Sequence, residues 1–330
     1  MGISHYIKEI GRGARGAKSL DREQARDLFG QVLDGSVTDL EIGAFCLAMR
    51  IKGETPEELA GFLDATHERL ALVPSAPRTV VVIPSYNGAR KLPVLTPLLA
   101  LLLARRGLPV LVHGAASESS RVLASSVLAK LGHLPASVIR TIEPGQVVFT
   151  PTGLLSSGLE RLLDVRRVVG LRNPAHSVVK LMRPVEGDAI VVSSYTHPEY
   201  AQSMAATFEL TGATALLSRG LEGESVADPR RTAQVDGFVR GRRIPLQQQQ
   251  PGTLSVVAGL PAEIDVDSTA AYTREVLAGD RPVPEAIERQ VAQVLRIADL
   301  LGAGNDTASS QRTAFEPETI EANPSTKEAP

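Results

Sequence analysis

Three helix-start signals crowd into the first sixty residues. Asp21 with Gln24, Thr38 with Glu41 and Thr55 with Glu58 each place a capping side chain three residues ahead of a glutamine or glutamate. Such a box satisfies orphan amides at a helix N-terminus, so each pair predicts a helix start. Pro56 strengthens the third, because its fixed φ suits the first helical position. Ala25, Leu28, Phe29, Val32 and Leu33 then keep helical spacing up to Gly35, and Leu59, Phe62 and Leu63 share a face of the third helix. Residues 73–78, with Pro74 and Pro77, read as a hinge.

Beyond the hinge the period changes. Val80-Val81-Val82-Ile83 is the continuous apolar run of a buried strand, and it ends in the loop Pro84-Ser85-Tyr86-Asn87-Gly88. A helix from Thr96-Pro97 to near Gly107 follows, then a strand over 110–112 ending in His113-Gly114, then a helix stopped by Gly132. Further strands are predicted at 147–149, 189–192 and 213–217, with a helix from Pro198 between the last two. Strands alternating with helices imply an α/β fold with a mainly parallel sheet covered on both faces. Residues 234–257 read as a β-rich excursion, and Pro284 begins a helix to about Leu301. The stretch after Asn305 is rich in Ser, Thr, Pro and Glu, and is expected to be disordered.

With 43% hydrophobic residues the chain can bury a sizeable core. Its single cysteine, Cys46, excludes an internal disulfide and Cys-rich metal motifs. The longest apolar stretch, Val94–Ala104, is too short to span a bilayer, and residues 1–18 lack an apolar signal core. A soluble, cytoplasmic protein without a membrane partner is expected. The net charge of −2 argues against a uniformly basic surface, so clustering of charge is the informative quantity. Between Pro84 and Arg140 seven cations (Arg90, Lys91, Arg105, Arg106, Arg121, Lys130 and Arg140) face one acid, Glu118. Between Arg161 and Arg183 six cations, Arg172 and Lys180 among them, face Asp164. Runs of this kind can follow a phosphate backbone.

Several loops are candidates for chemistry. Gly11–Gly16 matches a dinucleotide-loop pattern, but no strand precedes it, so a basic loop is the better reading. Asn87-Gly88 can turn backbone amides toward an anion, and Arg90 and Lys91 follow directly. His113-Gly114 ends the next strand, with Ser117, Ser119, Ser120 and Arg121 behind it at a helix start suited to anions. Ser218–Glu224 carries Arg219 and two acids: Glu222 and Glu224 would suit Mg²⁺, or the segment is a solvated turn with Arg219 paired to a glutamate. Tyr86 is the one aromatic placed for stacking on an unpaired base.

Taken in order, these pieces resemble the anthranilate phosphoribosyltransferase family and its nucleoside phosphorylase relatives over residues 1–302. The strings Ile7–Gly13, Arg50–Glu54, Val82–Lys91, Leu95–Leu99, Val112–Gly114, Arg172–His176, His197–Tyr200 and Glu222–Glu224 are closer to its YbiB-like branch. The resemblance implies the class IV phosphoribosyltransferase and nucleoside phosphorylase fold. A small helical domain would take residues 1–72 and a returning segment at 164–184. A large α/β domain would take 79–163 and 185–302, leaving 303–330 as a tail. It also implies a homodimer through helical residues 20–70, and sequence-nonspecific binding of nucleic acid, DNA or RNA.

The departures from the transferase bear on activity. Its Gly-Thr-Gly-Gly-Asp loop is here Pro84-Ser85-Tyr86-Asn87-Gly88, and its Lys-His-Gly-Asn is Val112-His113-Gly114-Ala115. Its Asp-Glu metal pair has only Glu222 and Glu224 as a displaced substitute, while Arg172 matches the arginine that faces anthranilate. No catalytic residue is therefore assigned and no cofactor is required; Mg²⁺ enters only if transferase activity is retained. The alternative is a phosphoribosyltransferase or glycosyltransferase that uses phosphoribosyl pyrophosphate with an unidentified acceptor. The expected nucleic-acid contacts are Tyr86, Asn87, Gly88, Arg90, Lys91, His113, Gly114, Ser119, Arg121, Arg172, Arg183 and Arg219. Arg90 and Lys91 are expected to converge with Arg172 and Arg183 at a cleft between the domains.

Overall fold

The computed structural model describes residues 2–13, 15–115 and 121–313, with side chains described as far as residue 303. It opens with α1 (Ser4–Ile10), α2 (Arg22–Asp34), α3 (Asp39–Lys52) and α4 (Pro56–His67). Each predicted capping box closes: Asp21, Thr38 and Thr55 accept from the backbone amides of Gln24, Glu41 and Glu58, whose side chains return the bond. Phe29, Phe45 and Phe62, one from each of the three longer helices, meet at the centre with ring centroids 4.7–6.2 Å apart. The third box does a second job. Glu58 is fully buried and also accepts from the Leu20 amide and from Lys52, so its charge is matched inside the helical unit.

The α/β part follows as β1 (Val80–Pro84), α5 (Thr96–Arg105), β2 (Val110–Gly114), α6 (Ala124–Lys130) and β3 (Val147–Pro151). Next come α7 (Thr152–Leu155), α8 (Ser157–Val169), α9 (Ala175–Val178), β4 (Ala189–Tyr195), α10 (Pro198–Thr211) and β5 (Ala215–Leu221). The chain finishes with β6 (Glu224–Ala227), β7 (Val235–Val239), β8 (Arg242–Gln247), α11 (Val266–Ala278) and α12 (Glu285–Thr313). The sheet order is β3-β2-β1-β4-β5-β7-β8, with β6 paired to β5. Strands β3, β2, β1, β4 and β5 are parallel, and the predicted β-rich excursion supplies the antiparallel edge.

Alternation along the strands divides the core in two. Val80, Val82, Leu111, Val191 and Leu217 pack with the helical unit and with Phe208 of α10. Val81, Ile83, Val112, Val192 and Leu216 pack with Leu98 of α5, Tyr272 of α11 and Ile287 of α12. The helical unit thus shares one continuous core with a face of the sheet. Helices α8 and α9 rejoin it, packing on α2 and α4, so the return begins at Ser157 rather than at 164. Helix α12 continues to Thr313, past the expected end near Leu301, because the first proline after Pro284 is Pro317. Residues 314–330 of the expected tail lie outside the described residues.

Helices α2 and α4 approach closely at Gly61. A Cβ there would collide with the Arg22 carbonyl oxygen and lie 2.8 Å from Ala25 Cβ. Gly61→Leu is expected to lower the unfolding free energy by about 2 kcal/mol or more, through overpacking against backbone that has little freedom to retreat. Urea denaturation followed by circular dichroism measures this, and a variant as stable as the parent would contradict the close approach.

Candidate functional site

In a parallel sheet the loops at the carboxyl ends of the strands form the ligand-facing rim. Here that rim is built from the loop after β1, the end of β2 and the tight β5–β6 hairpin. The hairpin turns through Glu222 and Gly223, both at positive φ, +53° and +87°. Gly223 has a second reason to lack a side chain: a Cβ would collide with Asn87 Nδ2. The turn therefore lies directly on the loop after β1.

That contact carries an arrangement of charge. Glu224, 2% exposed, aims its carboxylate into the loop. Oε1 accepts from the amides of Asn87 (2.8 Å) and Gly88 (2.9 Å). Oε2 accepts from Ser85 Oγ (2.5 Å) and from Thr96 Oγ1 (2.9 Å), the latter at the start of α5. Glu222 fills a second cradle: its carboxylate accepts from the amides of Arg90 (3.2 Å), Lys91 (2.7 Å) and Leu92 (2.9 Å). Runs of amides converging on one point form anion sites. In this structure the amides of the loop after β1 donate to the chain's own pair of carboxylates, which the sequence reading did not foresee.

Glu222 and Glu224, weighed from the sequence as Mg²⁺ ligands or as part of a solvated turn, here serve as internal acceptors. The lone pairs that a cation would need are engaged by seven donors from residues 85–96. Among the described residues no three His, Cys, Asp or Glu side chains converge as a metal site.

Asn87 knits the site together. It is 4% exposed; Nδ2 donates to the Glu222 carbonyl (3.3 Å) and Oδ1 accepts from Arg172 (2.9 Å). Its own carbonyl accepts from Arg121 (3.2 Å). Arg172 and Arg121 thus brace the loop from the two sides. Lys180 sits beneath the hairpin and donates to the Gly223 carbonyl at 3.1 Å. Burial, with Arg172 adding to it, lowers Lys180 to about 8 against the pull of Glu224. Lys180, Ser85 and Thr96 were not singled out from the sequence. Thr96 was visible only as a helix start, and Lys180 only as one member of a basic run.

Two expected contacts are core residues instead. Tyr86 is 5% exposed; its hydroxyl lies 2.8 Å from His113 Nδ1 and 2.8 Å from Thr152 Oγ1, and burial raises its pKa. It offers no face to a base, because its ring belongs to the core beneath the sheet. His113 is fully buried, and that burial lowers its pKa to about 3, so it stays neutral. Gly114 serves close packing: a Cβ would collide with the Ser85 carbonyl.

The cations divide as well. Arg90 and Lys91 are exposed, with neither side chain paired to a carboxylate among the described residues. Arg219 is exposed on β5, beside Tyr195 of β4. Arg183 does not join them. Its amide donates to His67 and its guanidinium to the Gly187 carbonyl, just before β4, so it lies at the amino ends of the strands, opposite the rim. Ser119 lies outside the described residues.

A cleft of about 430 Å³ opens between the helical unit and the strand ends. Arg50, Glu54, Arg172, His176, Lys180 and Tyr200 are among its lining residues. Burial lowers His176 to about 4 and raises the Glu54 carboxyl, so both are biased toward their neutral forms.

The helical-bundle domain of a glycosyl transferase family matches residues 4–69. The uncharacterized protein YbiB of Escherichia coli (strain K12) is 41% identical over 300 residues, covering 88% of this chain and 93% of that protein. Anthranilate phosphoribosyltransferase of Methylobacterium nodulans (strain LMG 21967 / CNCM I-2342 / ORS 2060) is 27% identical over 292 residues, 84% of this chain and 82% of the enzyme. Among solved structures, the Thermus thermophilus anthranilate phosphoribosyltransferase superposes with a TM-score of 0.68 at 22% identity, over 87% of this chain and 85% of that one. The Saccharomyces cerevisiae enzyme in complex with PRPP and Mg gives 0.65 at 15% identity, over 90% and 88%. No helix of the described residues is long and apolar enough to cross a membrane.

The filled cradle generates a prediction. Glu224→Gln removes the charge that four buried donors share and turns an amide N–H₂ toward some of them. The unfolding free energy is expected to fall by about 3 kcal/mol, the scale of a buried charge-assisted site left unmatched. Chemical denaturation reads this out, and a change within about 0.5 kcal/mol, as for a surface substitution, would show that the carboxylate is not needed.

Proposed function

Because the chain belongs to the anthranilate phosphoribosyltransferase family as a YbiB-like member, we propose that it is a homodimeric, cytoplasmic nucleic-acid-binding protein without anthranilate transferase activity. The observation that carries the reading is the occupancy of the strand-end cradles by Glu224 and Glu222. A phosphoribosyl pyrophosphate molecule would have to displace two carboxylates bonded to seven donors, and would meet their negative charge on approach. Transfer chemistry depends on donors preorganised for the departing pyrophosphate, and here those donors are committed.

The same arrangement favours a polyanion outside the cradle. The amides of Arg90 and Lys91 serve Glu222, while their side chains point to solvent. Two long cations on a braced loop suit phosphates of a strand lying across the rim, with Arg219 on a neighbouring strand end. None of these side chains is arranged to read base edges, so binding is sequence-nonspecific. DNA and RNA both present this backbone.

Dimerisation is supported by α3. Phe45, Cys46 and Met49 are buried within the helical unit, while Leu40, Leu47 and Ile51 are 84%, 47% and 60% exposed. Their spacing puts all three on one helical face. An apolar stripe of this kind needs a partner, and a second copy supplies the same stripe about a two-fold axis. The dimer would carry the rim cations in duplicate.

Replacing Arg90 and Lys91 together by alanine is expected to weaken oligonucleotide binding about tenfold and to flatten the salt dependence by about 1.5 in slope, equally for unrelated sequences. The melting temperature should hold, since the backbone bonds to Glu222 remain. Unchanged affinity in a filter-binding or anisotropy titration would overturn the reading. Leu47→Glu is expected to convert the dimer to a monomer, measured by light scattering at micromolar concentration; a parent protein that is already monomeric would refute the dimer.

A further inference from the structure

A second cavity lies away from the cleft and from the loop after β1. It measures about 810 Å³ and is walled by the β6–β7 loop, the loop after β8 and the α11–α12 junction. Four guanidiniums line it: Arg230, Arg231, Arg281 and Arg289. Acids stabilise them without matching them. Asp228, 3% exposed, is one carboxylate serving two arginines, at 2.9 Å to Arg230 Nε and Nη2 and 2.8 Å to Arg231 Nε. Arg281 pairs with Glu275, and Arg289 with Glu285 at 2.9 Å, but all four of those side chains are more than two-fifths exposed. Such pairs are weak and exchange readily for a stronger anion. Arg289 Nε is buried with no hydrogen-bond partner.

The wall also includes the start of α12, where the amides of Glu285 and Ala286 precede the first backbone bonds, from Ile287 and Glu288 to the Pro284 carbonyl. A helix start adds positive potential to the arginines. Much of the rest of the wall is apolar, with four prolines and Tyr272. The Arg281 guanidinium stands 5.9 Å from the centre of the Tyr272 ring, a cation–π arrangement that holds the guanidinium plane in place. Planar guanidiniums are surfaces on which bases stack. The volume falls within the range of about 300–1,000 Å³ usual for small-molecule sites, far more than an inorganic phosphate needs.

From these features we infer that this cavity is a binding site for a nucleoside phosphate, its phosphate among the arginines and its base on the Arg281 guanidinium plane, which the buried Tyr272 ring backs. The unit can come as a free nucleotide or as the phosphorylated end of a strand. The site shares no residue with the rim cations Arg90 and Lys91, so it stands whether or not they bind a strand.

Isothermal titration of the full chain with AMP, adenosine and inorganic phosphate tests it. AMP is expected to bind, with adenosine and phosphate each at least about tenfold weaker, because each fills half of the site. Arg281→Ala/Arg289→Ala is expected to lower AMP affinity about tenfold or more with little change in melting temperature, as the acid pairs of both residues are solvent-exposed and weak. The Arg90→Ala/Lys91→Ala variant should bind AMP as the parent does, which separates this site from the proposed groove. A 5′-phosphorylated oligonucleotide that displaces AMP, where its unphosphorylated counterpart does not, assigns the site to strand ends; no displacement assigns it to free nucleotides. No AMP binding at millimolar concentration, phosphate binding as tightly as AMP, or equal affinity in the Arg281/Arg289 variant would each overturn the inference.

Discussion

The bond set around Glu224 is the interaction on which the rest of the rim depends. Its four donors lie 128–139 residues away in sequence, on the loop after β1 and at the start of α5. The β5–β6 hairpin is thereby fixed to the opposite side of β4 in the sheet. Asn87, held in the same loop, passes the constraint to Arg172 and so to the segment that returns to the helical unit. Each link would be costly to break, because the groups are buried and would leave donors or charges unmatched. The cleft between the two parts of the chain is shaped by this one junction.

The junction also explains a division of labour among donors. Backbone amides satisfy the internal acids, through Asn87 and Gly88 for Glu224 and through Arg90, Lys91 and Leu92 for Glu222. The long cationic side chains of the same loop are then left to solvent. A chain of net charge −2 can in this way keep a locally basic rim, since the acids nearest to it are turned inward.

Much of the frame was legible in the sequence because its signals are local. The capping boxes of Asp21, Thr38 and Thr55 closed as their spacing required, and the apolar runs at Val80 and Val110 became central parallel strands. Where a feature depends on distant partners, local reading failed. Tyr86 looked like a stacking residue in a loop, yet its hydroxyl finds His113 and Thr152, 27 and 66 positions away, and its ring is drawn into the core. Glu222 and Glu224 looked like a metal pair, because acids two apart on a glycine turn carry no mark of the amides that will meet them. Arg183 was grouped with Arg172 by proximity in the chain, although the short α9 and the approach to β4 carry it to the amino ends of the strands. Helix α12 outran its expected end because its polar composition resembles that of a disordered tail, while no proline interrupts it before Pro317.

Glu224 can also be viewed as a ligand that never dissociates. Tethered through the β5–β6 hairpin, it has an effective concentration set by the geometry of the turn rather than by the contents of the cell. The loop after β1 is accordingly filled by the chain itself in this structure. Phosphate loops that wait for a metabolite reorganise with its concentration, and their surroundings respond to it. Here the tethered carboxylates hold the rim's shape without any such supply, so the rim presents a preformed surface.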